Sequence, residues 1–287
     1  MAAAAGRALP IVLVPVGVDE DALDACLGAL DAGTPPGTRV WLADDACAGP
    51  RALAIIERWL ARTPLQAAHT RREQPVGKVA HLDQALAACG DGDVAVLAAN
   101  AQPSPGWLGR LDECLARDAS IATATPWSNA GEVASWPRIG EVAALPADLA
   151  RMASACAAMP PVHPELPAAV SHAVLLRGSA RRMAGGLDAH SYGSWYAALI
   201  DLSLRLSGLG WRNALCETAY VARIGEAVPV DGDGDRLAAR WPAWNGRLAE
   251  WLMRDPLHAT RVQLQVRLDQ AAPPPPQRGL FDEDVVA

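Results

Sequence analysis

The residues of this sequence that are best suited to bind a ligand follow its predicted strands directly. Asp44 and Asp45 come immediately after a predicted strand at 39–43, which is apolar from residue 40 onward, while Pro15 ends an apolar run and Asn100 follows another. When such strands lie parallel in one sheet, their carboxyl ends meet at one edge, and ligands bind beyond that edge. The carboxylates accept hydrogen bonds from N–H and O–H groups. The sequence therefore predicts a ligand-binding site at this edge.

The elements that would position these residues alternate along the chain. Short apolar runs predict buried strands, and apolar residues spaced three or four apart predict helices. Strands are predicted at 11–14, 39–43, 93–97 and 170–176, and helices at 19–30, 51–61, 78–89, 105–117, 199–208 and 241–252. Alternating strands and helices of this length are typical of βαβ units. We therefore predict an α/β fold with a mostly parallel central sheet flanked by helices.

The domain organisation follows from the ends of this pattern. Residues 9–230 are predicted to form a single domain, and residues 231–270 a C-terminal helical extension packed on it. Residues 1–8 are predicted to be disordered. The segment 271–287 contains four consecutive prolines and an acidic end, so we predict an extended or disordered tail there.

Composition excludes several classes of function. The 287 residues carry 25 Lys and Arg against 32 Asp and Glu, a net charge of −7, which argues against binding of nucleic acid or anionic membrane. No apolar run is long enough to span a bilayer, and no signal peptide is predicted. The six cysteines contain no CxxC pair, which argues against a zinc site or a disulfide framework. We expect a cytoplasmic globular protein with reduced thiols.

Several short motifs, in this order, carry a resemblance to a known family. They are TPP (34–36), the acidic pair after the second strand, PGWL (105–108), ATPWSNAGEVASWP (124–137), GWRNAL (210–215) and RWPAWNGRLAEWLMRDPL (240–257). Because these motifs occur in this order, the chain resembles the family-2 glycosyltransferases of the GT-A fold over roughly residues 9–270. The last three segments resemble the branch that builds bacterial O-antigen and other surface polysaccharides.

The resemblance implies a UDP-, GDP- or dTDP-linked sugar as donor and a glycan as acceptor. It implies that the nucleotide is contacted by Pro15, Asp44, Asp45, Gly77, Asp83 and Asn100. Lys78 would approach the diphosphate, although a solvated surface lysine is the alternative. For the acidic pair, the alternative is a turn that caps a helix.

The motifs that would hold a metal depart from the family pattern. The family's DxD-type motif, which binds Mg²⁺ or Mn²⁺, falls here on Ala98, Ala99 and Asn100. Hard cations prefer anionic oxygen ligands, so we expect no tightly bound cofactor and at most a weak divalent metal. Arg223 stands where the family often has a metal- or diphosphate-binding histidine. A guanidinium binds phosphate well, so Arg223 would replace the metal; drift in a dead site is the alternative.

The family's catalytic carboxylates are also missing. Their positions fall on Ala198 and Leu199, neither of which accepts a proton. Asp201, His190 and Asp188 are the candidates for a substitute base. A structural role is the alternative for Asp201.

The acceptor would lie against aromatic side chains, by the same resemblance. Tyr192 and Trp195 occupy the loop where the family contacts its acceptor, and Trp127 would stack on a sugar ring or pack in the core. Three hypotheses follow. The chain is a metal-independent glycosyltransferase, or an inactive relative that binds a glycan, a nucleotide or another glycosyltransferase, or a purely structural interaction protein.

Overall fold

One mixed sheet forms the centre of this computed structural model, which describes residues 9–227 and 229–271. Its strands lie in the order β3-β2-β1-β4-β7-β6-β8-β5. They are β1 (Ile11–Pro15), β2 (Arg39–Asp44), β3 (Gln66–Arg71), β4 (Val94–Leu97), β5 (Ala101–Pro103), β6 (Ile121–Trp127), β7 (Ala173–Leu176) and β8 (Arg212–Arg223). Four of the seven described strand pairings are parallel, and those of β7 with β4 and β6 and of β5 with β8 are antiparallel.

Helices cover both faces of this sheet. They are α1 (Glu20–Gly33), α2 (Pro50–Leu60), α3 (Lys78–Ala88), α4 (Trp107–Arg117), α5 (Leu149–Ala157), α6 (Gly178–Ala184), α7 (Trp195–Gly208), α8 (Asp233–Arg240), α9 (Trp244–Arg254) and α10 (His258–Gln270). The predicted fold class, a single α/β domain with helices around a central sheet, is confirmed. The helix predicted at 241–252 was wrong in its bounds, because the chain turns between α8 and α9 at Trp241 to Ala243.

The core explains why β1 reads as a continuous apolar run. Val12 and Val14 belong to the core formed with α1, α2 and α4, whereas Leu13 packs with α3 and α7 on the opposite face. Alternate side chains of a strand point to opposite faces, so a strand that is buried on both sides must be apolar throughout. A third core joins β6 and β8 to α5 and α10.

The predictions for the two ends of the chain fall mainly outside the described residues. These are the disorder of residues 1–8 and of the tail after Ala271. The division into a domain at 9–230 and an extension at 231–270 stays a prediction. Within the described ranges, no helix is both long and apolar enough to cross a bilayer.

Gly178 allows α6 to approach the turn before β4. A Cβ there would overlap the carbonyl oxygen of Asp91 and lie 2.7 Å from that of Gly92. We expect Gly178→Ala to destabilise the fold by about 3 kcal/mol, because backbone rather than a flexible side chain must move. Gly28 is the matched control: it lies on α1 with nothing within 4 Å of the added Cβ, so alanine should stabilise by about 0.5–1 kcal/mol. Urea unfolding of both variants measures this, and equal midpoints would contradict the close approach.

Candidate functional site

The carboxyl ends of β1, β2 and β4 meet at one edge of the sheet. β1 lies between the other two strands, and Pro15 pairs with Ala43 at the end of β2. Gly17, beyond β1, lies against Ala99, since a Cβ added to the glycine would be 3.5 Å from the alanine Cβ. The structure therefore brings Pro15, the acidic pair and the residues around Asn100 to the same edge.

Asp44 is fully buried and is held by the chain itself. One carboxylate oxygen accepts hydrogen bonds from the backbone N–H groups of Cys47 (2.8 Å) and Ala48 (3.2 Å). The other accepts a hydrogen bond of 2.8 Å from the guanidinium of Arg71 at the end of β3. Asp44 thus fixes the turn after β2, and a nucleotide would reach it only if this turn opened.

Asp45 holds the loop that leads into α3. Its two oxygens accept hydrogen bonds from the backbone N–H groups of Val76 and Gly77, both 2.9 Å long. Gly77 has φ +99°, a conformation that favours glycine, and precedes the first residue of α3, the exposed Lys78. The acidic pair therefore positions the segment that carries the predicted diphosphate lysine.

Asp83 links α3 to the loop before α7. Its carboxylate accepts a hydrogen bond of 2.7 Å from the backbone N–H of Leu187. The same oxygen would lie 2.6 Å from a Cβ added to Gly186, which has φ +79°. Asp83 consequently supports a loop, and its predicted contact with the nucleotide stays a prediction.

The residues at the DxD-type positions do not fit a tightly bound divalent metal. Ala98 and Ala99 offer no side-chain ligand, and the Asn100 side-chain amide donates to the carbonyl oxygen of Ile224 at 2.7 Å. Within the part of the chain that the structure describes, the carboxylates of this edge form no group of three close enough to share an ion.

Arg223 lies at the end of β8, next to this edge, and is 7% exposed. It pairs with Ala101 in the β5–β8 ladder, and its backbone N–H and carbonyl both bind the side chain of Asn129, at 2.8 and 3.0 Å. Its guanidinium lies 3.4 Å from the hydroxyl of Ser171, and its Nε is buried without a hydrogen bond. The backbone is thus fixed, while Nε of the guanidinium has no hydrogen-bond partner and the charges of Glu132 and Glu226 act on the group.

Glu132 is a second charged residue of this region, and the sequence reasoning missed it. It begins the short 3₁₀ turn Glu132–Ala134 with φ +52°, which is unusual for a residue other than glycine. Burial raises the pKa of its carboxyl to about 7, opposed by the charge of Arg223 and reinforced by that of Glu226. Its Oε1 is buried without a hydrogen bond. A carboxylate with this pKa is suited to accept a proton near neutral pH.

His172 is the third member of this cluster, which we call the Glu132–His172–Arg223 cluster. Burial, and then the charge of Arg223, lower the pKa of its imidazole to about 3, so the ring is neutral. Neither ring nitrogen has a partner in normal hydrogen-bond geometry, although the backbone of Pro126 lies near enough to act against this lowering of the pKa. A buried polar group without a partner costs about 1–3 kcal/mol, and each of the three residues carries one. The charge of Arg223 acts on both Glu132 and His172, so Arg223 is the member that links them.

Asp201 is fully buried, and its carboxylate is bound by other side chains. It accepts hydrogen bonds of 2.9 Å from Arg205 and from the indole N–H of Trp241, and Arg240 lies 3.1 Å away. These contacts tie α7 to the end of α8. The geometry agrees with the structural alternative for Asp201.

The other two candidate bases lie in the loop before α7. Burial opposes ionisation of Asp188, but hydrogen bonds from Ser191 and Arg240 outweigh it and lower the pKa of this carboxyl. A carboxylate with a lowered pKa is a poor proton acceptor near pH 7. His190 is exposed at the surface.

The three predicted acceptor residues lie at different depths. Tyr192 is 2% exposed, with its hydroxyl 3.4 Å from Asp201, and Trp127 is fully buried under the guanidinium of Arg261, 5.5 Å from its ring. Neither ring has a face open to solvent in this conformation, and the predicted acceptor contacts of both residues stay predictions. Trp195 is half-buried and donates a hydrogen bond of 3.2 Å to the carbonyl oxygen of Ser171. Trp195 thus lies beside the residue that contacts Arg223.

The cavity next to Glu132 is small and is bordered by α9. Its volume is about 20 Å³, enough for about one water molecule. Trp244 and Leu248 of α9 line it together with Tyr196 of α7. An acceptor would reach Glu132 only after these side chains moved.

No family model matches the sequence, and no curated protein is significantly similar to it. Solved structures do match. The mannosyltransferase PcManGT from Pyrobaculum calidifontis, solved with GDP-Man and Mn²⁺, is 15% identical, with a TM-score of 0.57 over 93% of this chain and 74% of its own. GalNAc-T7, solved with UDP, GalNAc and Mn²⁺, is 11% identical, with a TM-score of 0.60 over 91% of this chain and 55% of its own. S. aureus TarS 1-349, solved with UDP-GlcNAc, is 12% identical, with a TM-score of 0.52 over 91% of this chain and 71% of its own.

These neighbours are glycosyltransferases of the GT-A type. At such low identities the likeness concerns the fold, and it spans nearly the whole of the described chain. The GT-A-like architecture expected from the sequence is therefore confirmed. The chain covers only about half the length of GalNAc-T7.

Proposed function

We propose that this protein is a glycosyltransferase that transfers a sugar from a nucleotide donor to a growing bacterial surface glycan, without a tightly held divalent metal. The Glu132–His172–Arg223 cluster carries this proposal. It places an acid, a neutral imidazole and a guanidinium, each with an unpartnered buried atom, beside the edge where GT-A folds bind their donors. The order of sequence motifs supports the surface-glycan acceptor.

Arg223 would bind the diphosphate of the donor. Its Nε has no partner, and two nearby carboxylates, Glu132 and Glu226, partly offset the lowering of its pKa by burial. A guanidinium at this depth forms strong charge-assisted hydrogen bonds with phosphate oxygens. The charge that develops on the departing diphosphate would thus be stabilised by a fixed cation, the role for which many enzymes use a metal.

Glu132 would act as the general base. The acceptor hydroxyl oxygen forms a bond to the anomeric carbon, and its proton passes to the Glu132 carboxylate. The bond between the anomeric carbon and the diphosphate oxygen breaks, and its electron pair leaves with the diphosphate next to Arg223. The pKa of about 7 gives an ionised fraction near one half at neutral pH.

Calorimetric titration with UDP, GDP and dTDP tests donor binding. We expect one of these nucleotides to bind with an affinity that EDTA leaves unchanged. Arg223→Ala should weaken this binding about 10–100-fold, because a hydrogen bond to a charged group contributes about 1.5–3 kcal/mol. Arg223→Lys should recover only part of the loss, since lysine keeps the charge without the planar fork.

The control for this titration is Arg58→Ala. Arg58 lies on α2, where its side chain is 57% exposed and pairs with Asp24. Its removal should leave nucleotide binding unchanged. If the folded protein binds none of the three nucleotides at millimolar concentration, or binds only with Mn²⁺ present, the metal-independent donor site does not exist.

The second candidate is an inactive relative that binds a glycan or another glycosyltransferase. The buried carboxylate of Asp44 and the cavity of about 20 Å³ beside Glu132 favour it, because neither admits a substrate as it stands. Such a protein would bind glycan without nucleotide, and it would neither hydrolyse nor transfer the donor sugar. An assay with a radiolabelled sugar donor, built on the nucleotide that binds, separates the two candidate functions.

A further inference from the structure

A second cluster of polar side chains lies outside the site described above. Cys114 on α4, His163 in the segment after α5 and Cys216 on β8 are all buried. One ligand atom from each lies within 4.8 Å of the other two. The three residues are far apart in sequence, so the fold alone brings them together.

The histidine of this cluster is oriented by a buried carboxylate. Glu217, 1% exposed, accepts a hydrogen bond of 3.0 Å from the backbone N–H of His163, and its other oxygen lies 3.2 Å from Nδ1 of the ring. Nε2 is buried without a hydrogen bond, and His163 itself is only 5% exposed. A histidine whose Nδ1–H binds a carboxylate offers Nε2 as a ligand, which is the usual arrangement behind zinc-bound imidazoles.

The sulfur atoms of the cluster face each other without a covalent bond. Both cysteines are free, and each is completely or almost completely buried. Sγ of Cys216 lies 3.3 Å from the carbonyl oxygen of Arg110 and 3.4 Å from the hydroxyl of Thr218. Ligands of a tetrahedral zinc ion are about 3.8 Å apart, so small side-chain rotations would bring these atoms to coordination distance.

We propose that Cys114, His163 and Cys216 bind one Zn²⁺ ion, with Glu217 as the residue that orients the histidine. Two thiolates and a neutral imidazole match the preference of zinc and balance its charge. The two thiol protons pass to solvent when the ion binds. Water would fill the fourth position, entering through a cavity of about 160 Å³ that His163 and Thr218 help to line.

Zinc titration of the purified full-length chain tests this proposal. The protein is first stripped with a chelator under reducing conditions and then titrated with Zn²⁺ against a chromophoric competitor. We expect one zinc per chain and a rise in Tm of about 5–10 °C at a hundredfold excess over Kd. Substitution by Co²⁺ should give the absorption bands of thiolate-to-metal charge transfer.

Variants assign the site. Cys216→Ser should abolish zinc binding, and Glu217→Gln should weaken it about 10–100-fold. Cys26→Ser is the matched control, because Cys26 is equally buried but lies on α1 and belongs to no such cluster in the described chain. If Cys216→Ser does not fold, the Co²⁺ spectrum of the unaltered protein decides.

Three results would overturn the zinc site. They are the absence of saturable zinc binding by the folded chain, zinc binding that survives in Cys216→Ser, and a Cys114–Cys216 disulfide that excludes the ion. None of them bears on nucleotide binding, so this proposal and the glycosyltransferase proposal fail independently.

Discussion

Replacing Glu132 by glutamine is expected to lower kcat for sugar transfer about 10²–10⁴-fold, while the affinity for the nucleotide stays largely unchanged. Glutamine has the same shape but accepts no proton, and general-base catalysis contributes about this factor. Arg223, which would hold the diphosphate, remains in place in this variant. Single-turnover assays and calorimetry measure the two quantities. Equal losses of kcat and nucleotide affinity would contradict the assignment, because they would indicate a change in the whole site.

The pH dependence of activity should change with the same variant. The Glu132 carboxyl has a pKa of about 7, raised by burial against the opposing charge of Arg223, and it must be ionised to accept a proton. The rate of the unaltered protein should therefore rise through pH 7 and level off above it. The residual rate of Glu132→Gln should lack this rise.

Stability gives a test of Glu132 that needs no substrate. The pKa of this carboxyl is about 7 in the folded chain and near 4.5 in the unfolded one, so between these values the folded state holds a proton that the unfolded state has lost. The stability provided by the neutral form is complete below about pH 4.5 and is lost as the pH rises through 7. Its size is about 3 kcal/mol at most. Urea unfolding at several pH values should show this loss in the unaltered protein and not in Glu132→Gln; parallel curves would contradict the burial of Glu132.

The parts of the fold that the sequence predicted are those buried on both faces. β1, β4 and residues 40–43 of β2 are continuous apolar runs, because each of these strands is covered by helices on two sides. β3 was not predicted, because it lies at the sheet edge and is mostly exposed. β8 was also not predicted as an element: it is buried along most of its length, yet polar residues such as Asn213 and Glu217 interrupt its apolar pattern.

The site residues that were predicted have a position that follows from the local sequence, and those that were not predicted do not. Asp44, Asp45 and Asn100 lie where a strand ends, so their position at one edge follows from parallel pairing. Glu132 has no such local signal beyond being the one charged residue in the segment SNAGEVAS, because its raised pKa arises from burial in the folded chain and from the charge of Glu226, which is distant in sequence. The proximity of Cys114, His163 and Cys216 also has no local signal. Spacing along the chain argued against zinc, whereas packing of α4 against β8 brings the two sulfur atoms together.

Asp201→Ala is expected to destabilise the fold by about 3–5 kcal/mol. The carboxylate is fully buried and binds Arg205, Trp241 and Arg240, so its removal leaves a half-buried guanidinium and an indole N–H without their acceptor. Breaking one side of a buried ion pair has a cost of this size. Asp188→Ala is the matched control. Asp188 also pairs with Arg240, but its side chain is 26% exposed, so its loss should cost less than about 1 kcal/mol.

Comparing Asp201→Ala with Asp201→Asn also decides whether Asp201 is a catalytic base or an anchor for α8. If Asp201 is an anchor, its removal lowers the stability of the fold. Asp201→Asn should then recover part of the lost stability, because the asparagine oxygen still accepts a hydrogen bond from Trp241. If Asp201 is a base, kcat falls in both Asp201→Ala and Asp201→Asn, and the unfolding midpoint stays nearly unchanged. Denaturant unfolding together with kcat for each variant separates these outcomes. The four side chains that already contact this carboxylate predict the first outcome, which agrees with the proposal that Glu132 is the base.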